Sequence, residues 1–205
     1  TEAALLFPSG FAANAGALPA LAGPEDALYS DALNHASLID GCRLSRATVR
    51  VFPHGDLDAL DARLAADAGR FRRRWIVVEG VYSMDGDRCP LDRLVPLARA
   101  HGAFVFLDDA HATGVLGADG AGSAAHWGVQ GEVDVTVGTL GKAVGTGGAF
   151  VAGSAALREV LLHRARSFVF TTATPPALAE GTRAAVALAR ADGWRRDRLR
   201  AVAAR

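Results

Sequence analysis

Trp75-Ile-Val-Val-Glu79-Gly80, followed after a polar turn by Leu91-Asp-Arg-Leu-Val-Pro-Leu-Ala-Arg-Ala-His101 and then by Ala103-Phe-Val-Phe-Leu107-Asp108-Asp109-Ala-His111, decides the fold. The two short runs at its ends are apolar without alternation, as in strands covered on both faces, and the middle segment repeats its apolar residues at helical spacing. Strand, helix and strand in that order make a parallel crossover unit. The second run ends in a carboxylate, Asp108, with an imidazole, His111, three residues on.

The alternation extends outward in both directions. Strands are expected at 3–7, 27–30, 48–52, 75–79, 103–107, 133–137, 148–152 and 167–170, and helices at 12–21, 37–44, 57–68, 91–101, 155–163 and 176–191. The fold class is therefore α/β, a mainly parallel sheet sandwiched by helices. The later strands have short connections, which leaves room for one or two of them to run antiparallel. In such a sheet ligands gather beyond the carboxyl ends of the strands, so the polar segments there are the first candidates for a site.

The chain has 205 residues, half of them hydrophobic, with 22 basic and 22 acidic side chains. That composition supports one globular domain with a substantial core, and gives no electrostatic footprint for nucleic acid. The arginine clusters at 70–74 and 195–200 read as solvated helix faces. Cys42 and Cys89 are too few for a metal or disulfide framework. No apolar run is long enough to span a bilayer, and a cytoplasmic location is expected. Thr1 leads directly into a strand and the chain closes within a charged helical pattern, so a segment of a longer chain is expected.

Lys142 is the single lysine, carried by Asp134-Val-Thr-Val-Gly138-Thr139-Leu-Gly141-Lys142-Ala-Val-Gly145-Thr-Gly147-Gly148 from an apolar run into a loop of small residues. An amine can deprotonate and form a Schiff base where guanidinium cannot, and a solvated surface lysine is the lesser alternative. The phosphate-loop spacing G-x-x-x-x-G-K-[ST] fails, because Thr136 stands at the first glycine position and Ala143 follows Lys142. Without that loop, Asp108-Asp109 does not read as the Mg²⁺ pair of a nucleotide hydrolase. Asp108 can instead pair with a protonated ring nitrogen. Ser9-Gly10-Phe11 opens a helix where backbone N–H groups can face a phosphate, or where Ser9 is only an N-cap. His35 can pack on an aromatic cofactor ring or be a satisfied structural histidine, and Ser83 and Thr139 can be plain turn hydroxyls.

Taken in order, Ser-Gly-Phe-Ala-Ala-Asn at 9–14, Leu-Asn-His-Ala-Ser-Leu-Ile-Asp-Gly at 33–41, Glu-Gly-Val-Tyr-Ser-Met-Asp-Gly-Asp at 79–87, Asp-Asp-Ala-His at 108–111, Gly-Thr-Leu-Gly-Lys at 138–142 and Arg-Ser-Phe-Val-Phe-Thr-Thr-Ala-Thr-Pro-Pro at 166–176 resemble the motifs of the α-oxoamine synthase family. These enzymes use pyridoxal 5'-phosphate (PLP) to condense an amino acid with an acyl thioester, losing CO₂. The resemblance implies the large domain of the aspartate-aminotransferase-like fold over 1–190, with 191–205 starting the connection to a carboxyl-terminal domain. It implies that Lys142 forms the Schiff base with PLP, Asp108 pairs with the pyridinium nitrogen, and His35 stacks on the ring. His111 and Ser83 would bond near the phenolic oxygen, while Thr139, Gly10 and Phe11 hold the phosphate or its surroundings. A homodimer is implied, with the active site at its interface and Thr171 and Thr172 reaching the neighbouring phosphate. The wording at 79–83, 108–114 and 167–173 favours the member that joins L-alanine to a pimeloyl thioester in biotin synthesis. The 2-amino-3-ketobutyrate CoA ligases, a PLP aminotransferase and a non-catalytic subunit are the alternatives, with His35 and Lys142 speaking against the last two. The family's carboxyl-terminal arginine and amino-terminal segment lie outside these residues, so weak PLP binding and poor turnover are expected of 1–205 alone.

Overall fold

The computed structural model describes residues 1–204. Its elements, in chain order, are β1 (Ala3–Phe7), α1 (Gly10–Leu21), β2 (Ala27–Asp31), α2 (Ala36–Leu44), β3 (Thr48–Phe52), α3 (Leu57–Ala66), β4 (Arg74–Glu79), α4 (Leu91–Ala100), β5 (Phe104–Asp108), α5 (Ser123–His126), β6 (Val135–Thr139), β7 (Ala149–Gly153), α6 (Ala155–Arg164), α7 (Arg166–Val169), α8 (Pro176–Ala191) and α9 (Gly193–Ala203). The seven strands form one sheet in the order β1-β7-β6-β5-β4-β2-β3. Strands β2 to β6 pair in parallel, and β7 runs antiparallel to both β6 and β1.

Alternation of side chains divides the apolar runs between two cores. In β4, Trp75 and Val77 join Phe7, Leu18, Leu38 and Phe106 on one face, while Ile76 and Val78 join Phe52, Leu60, Leu94 and Leu107 on the other. Because both faces are covered, every residue of β2 and Trp75 to Glu79 of β4 are buried, which is why those runs carry no polar alternation.

The expected strands stand within two residues of their places, with one exception. Ser167-Phe-Val-Phe170 is not a strand: Arg166–Val169 forms a helical turn. Short apolar runs do not distinguish the two states by pattern alone. Here the Phe168 and Val169 N–H groups both donate to the Ala165 carbonyl, and Phe168 packs edge-on against Phe7 with ring centroids 5.9 Å apart. The first arginine cluster also departs from expectation. Arg70 to Arg74 form no helix face; they run through a turn into β4, where Arg72 and Arg73 both reach the fully buried Asp26 carboxylate and Arg70 reaches Asp67. The second cluster does lie on a helix, α9, with Arg196 turned inward to the Ala189 carbonyl at 2.6 Å. Arg205, which ends the expected connection, lies outside the described residues. Among those described, no helix is long and apolar enough to cross a membrane.

Candidate active site at the carboxyl edge of the sheet

Because β2, β4, β5 and β6 run the same way, their carboxyl ends share one edge, where Asp31, Glu79, Asp108 and Thr139 stand, all buried. Register sets Glu79 opposite Asp108. The segments leaving these ends carry the candidate residues.

Lys142 owes its place to the β6–β7 connection. The Leu140 N–H donates to the Gly148 carbonyl and the Thr146 N–H to the Leu140 carbonyl, both at 2.9 Å, and the Gly145 N–H closes a turn on the Lys142 carbonyl at 3.0 Å. That turn leaves Gly145 at φ 72°, a conformation glycine adopts freely. The Thr139 hydroxyl donates to the Gly148 carbonyl at 3.2 Å and accepts from the Gly141 N–H at 3.3 Å, so it braces the base of the loop. Lys142 is held outward and exposed, with Nζ 2.9 Å from His111 Nε2. Burial and the Lys142 charge push His111 below its ordinary value, with His35 adding to them and Asp108 opposing. At neutral pH His111 is a neutral ring whose Nε2 can accept from an ammonium.

The adjacent acids diverge. Asp108 Oδ1 accepts from the Ala110 N–H at 3.0 Å and Oδ2 from the Asn14 amide at 2.6 Å. Asp109 turns the other way and caps α5, accepting from the Ser123 N–H at 3.0 and 3.2 Å. Its carboxylate fills space left by Gly80 and Gly122, and burial pushes it up to about 6. One acid of the pair therefore faces the site and the other is structural. Among the described residues no three His, Cys, Asp or Glu side chains are grouped to hold a metal ion.

His35 is the N-cap of α2: its Nδ1 accepts from the Ser37 N–H at 3.2 Å, its own N–H donates to Glu79 Oε1 at 2.5 Å, and its ring is exposed. Ser9 caps α1 in an extended conformation, accepting from the Ala12 N–H at 3.1 Å. The N–H groups of Gly10 and Phe11 lie in the first turn, where no helical carbonyl can receive them. A side chain on Gly10 would meet Thr139 Cβ at 4.0 Å, so this helix start abuts the end of β6. Ser83 is exposed on the turn after β4, which is closed by the Tyr82 N–H donating to the Asp87 carbonyl and clasped by His54. His54 reaches Asp31 through Nδ1 at 2.9 Å and Asp87 through Nε2 at 2.8 Å. Thr171 and Thr172 are exposed beyond α7, and no hydrogen bond among the described residues joins them to the cluster.

The structure thus brings Lys142, His111, Asp108, His35, Thr139 and the start of α1 to one edge, puts Ser83 on an adjoining turn, and joins Thr171 and Thr172 to them by no hydrogen bond among the described residues. Asn14, Ser37, Glu79 and His54 were given no role in the sequence; the first three sit inside the quoted motifs, but only the fold shows that they touch the candidates. A cleft of about 720 Å³ lined by Trp75, Phe104, Val133 and Leu157 opens at the opposite edge, away from these residues.

The profile of the aminotransferase class I and II family matches residues 1–205. The chain belongs to this family. It is 53% identical over all its 205 residues to an 8-amino-7-oxononanoate synthase of Alkalilimnicola ehrlichii, covering 52% of that protein. Among solved structures, a serine palmitoyltransferase variant of S. paucimobilis bearing a PLP–myriocin aldimine superposes with a TM-score of 0.93 at 35% identity, covering 98% of this chain and 52% of that one. An 8-amino-7-oxononanoate synthase of Francisella tularensis superposes with a TM-score of 0.84 at 32% identity, covering 96% and 56%. The chain spans about half the length of the curated relatives it matches. The aminotransferase-like large-domain fold expected from the sequence is the fold these structures share with it.

Proposed function

We propose that the chain is the cofactor-binding part of a PLP-dependent synthase that joins L-alanine to a pimeloyl thioester, releasing CO₂ and a free thiol, as an 8-amino-7-oxononanoate synthase does in biotin synthesis. The observation that carries the reading is the contact of the single lysine's Nζ with His111 Nε2 at 2.9 Å, at the sheet edge that buries Asp108.

The residues fit PLP. Lys142 offers an exposed amine, Asp108 a buried carboxylate, His35 an open ring, and the start of α1 two amide donors beside a position without a side chain. When bound, PLP supplies an electron sink for a carbanion at the amino acid's α-carbon. Lys142 would hold the cofactor and, once the substrate amine has taken its place, remove the α-proton as general base. Neutral His111 accepts a hydrogen bond from the Lys142 amine and, with Ser83, would hydrogen-bond around the phenolic oxygen. Asp108 would pair with the ring nitrogen and favour its protonated form, and His35 would stack on the ring. The Gly10 and Phe11 N–H groups would hold the phosphate, while Thr139 braces the loop that carries Lys142. In a cytoplasmic homodimer, Thr171 and Thr172 would reach the phosphate bound by the partner subunit. The superposition on serine palmitoyltransferase supports a second reading, the same chemistry starting from L-serine.

The test uses the full-length gene product with added PLP, following its visible spectrum against L-alanine, glycine and L-serine. Tightest saturation by L-alanine is expected; preference for glycine or L-serine transfers the assignment to a relative. Replacing Lys142 by Ala should abolish the visible band of lysine-bound PLP with the fold intact, and its survival would remove Lys142 from the mechanism.

A further inference from the structure

A path of hydrogen-bonded side chains runs beneath the candidate site and joins its two sides. Asn14 on α1 and Ser37 on α2 are both 1% exposed. The helices meet there because residue 41 is glycine: a side chain on Gly41 would stand 2.8 Å from the Asn14 carbonyl oxygen. The Asn14 amide nitrogen lies 2.6 Å from Asp108 Oδ2 and 2.9 Å from Ser37 Oγ, and Ser37 Oγ lies 2.8 Å from His35 Nδ1.

The direction of each bond follows. His35 Nδ1 accepts the Ser37 N–H at 3.2 Å, so in the neutral ring its hydrogen sits on Nε2, and the one lone pair of Nδ1 is shared between that N–H and the Ser37 hydroxyl at 2.8 Å. The hydroxyl oxygen then accepts one Asn14 N–H, and the other goes to the Asp108 carboxylate. Asn14 Oδ1 is left buried without a partner among the described residues. Turning the amide over would set its oxygen against the Asp108 carboxylate, so the acid's charge dictates the orientation.

We infer that Asn14 is a positioning residue whose one amide group holds the Asp108 carboxylate and, through Ser37, steadies the His35 ring with its hydrogen on Nε2. What those two groups meet rests on the proposed function; the path itself does not.

The test uses the full-length protein. In the apo form, with histidine labelled by ¹⁵N and His35 assigned through His35→Gln, the spectrum should show His35 Nδ1 unprotonated and hydrogen-bonded. Ser37→Ala should move that resonance toward a free acceptor. With PLP, Asn14→Leu should weaken binding about tenfold, the order expected for a hydrogen bond to a charged group. The same substitution should cost less than about twofold when Asp108 is already Asn, since residues acting as a unit are not additive. An equal loss in both backgrounds, or a protonated Nδ1, would reduce Asn14 to a packing residue. Should the unaltered protein bind no PLP, the functional reading fails, and the apo spectrum alone upholds or overturns the path. Should Asn14→Leu not fold, Ser37→Ala decides by the same spectrum.

Discussion

Replacing Glu79 by Gln should stabilise the protein, and more so as pH rises. Glu79 is 2% exposed, stands opposite Asp108 across the sheet, and accepts the His35 N–H through Oε1. Burial pushes its carboxyl from the ordinary 4.5 up to about 7; Asp108 and Asp31 add to this, while the His35 N–H and Lys142 oppose it. A folded-state value above the unfolded one means that the native state holds the proton more tightly. The associated stability is therefore full below about 4.5 and is lost as pH rises through about 7. At 1.36 kcal/mol per pH unit, the gap amounts to at most about 3 kcal/mol above neutrality, and under about 1 near pH 5. Gln keeps an oxygen for the His35 N–H and never ionises, so urea denaturation of the apo protein should show the variant ahead by up to about 3 kcal/mol near pH 8.5 and nearly level near pH 5. Asp109, also raised by burial, is common to both proteins and drops out of the difference. A difference that does not change with pH would refute the argument, because burial of an ionising carboxyl would then not be its source.

Other substitutions bear on the neighbouring turns. His54 is drawn down by its partial burial, but hydrogen bonds to Asp31 and Asp87 more than offset this and hold it above its ordinary value. Its contribution is thus present below about 6.5 and fades as pH rises through the raised value, so the stability gap between the unaltered protein and His54→Gln should narrow from pH 6 upward by about the same measurement; a gap that widens would contradict the assignment. Gly122 sits at φ 99° with the Asp109 carboxylate where a side chain would go, so Gly122→Ala should cost more than about 2 kcal/mol in thermal unfolding, and a cost below about 0.5 would show that Asp109 moves aside freely.

The parallel strands and the helices between them were legible because burial on both faces leaves an unbroken apolar run, which turns and helix caps then delimit. Ser167-Phe-Val-Phe170 was misread because four alternating residues carry no length signal, and what decides between strand and helical turn is a distant partner, Phe7. Lys142, Asp108, His35 and His111 could be named as candidates since each closes or follows such a run. Asn14 and Glu79 could not be given roles, because a polar residue inside a helix or at a strand end looks the same whether it meets water or another side chain 94 residues away, as Asn14 meets Asp108. The inward turn of Asp109 was equally hidden: it depends on the absence of side chains at Gly80 and Gly122.

The single reversed strand has a consequence for how the chain is assembled. β7 pairs on one side with β6, a neighbour across a short loop, and on the other with β1, from Ala3↔Gly153 to Phe7↔Ala149, a closure over about 150 residues. The hairpin that carries Lys142 can form from local sequence, while β1, though it precedes β7 by about 140 residues, has no partner in this sheet until β7 emerges. Until that late stitch is made, one border of the nascent sheet lacks its cover, with unpaired backbone along β7 open to other chains. Mutations that loosen β1 should therefore show first as poor soluble yield rather than as a damaged site.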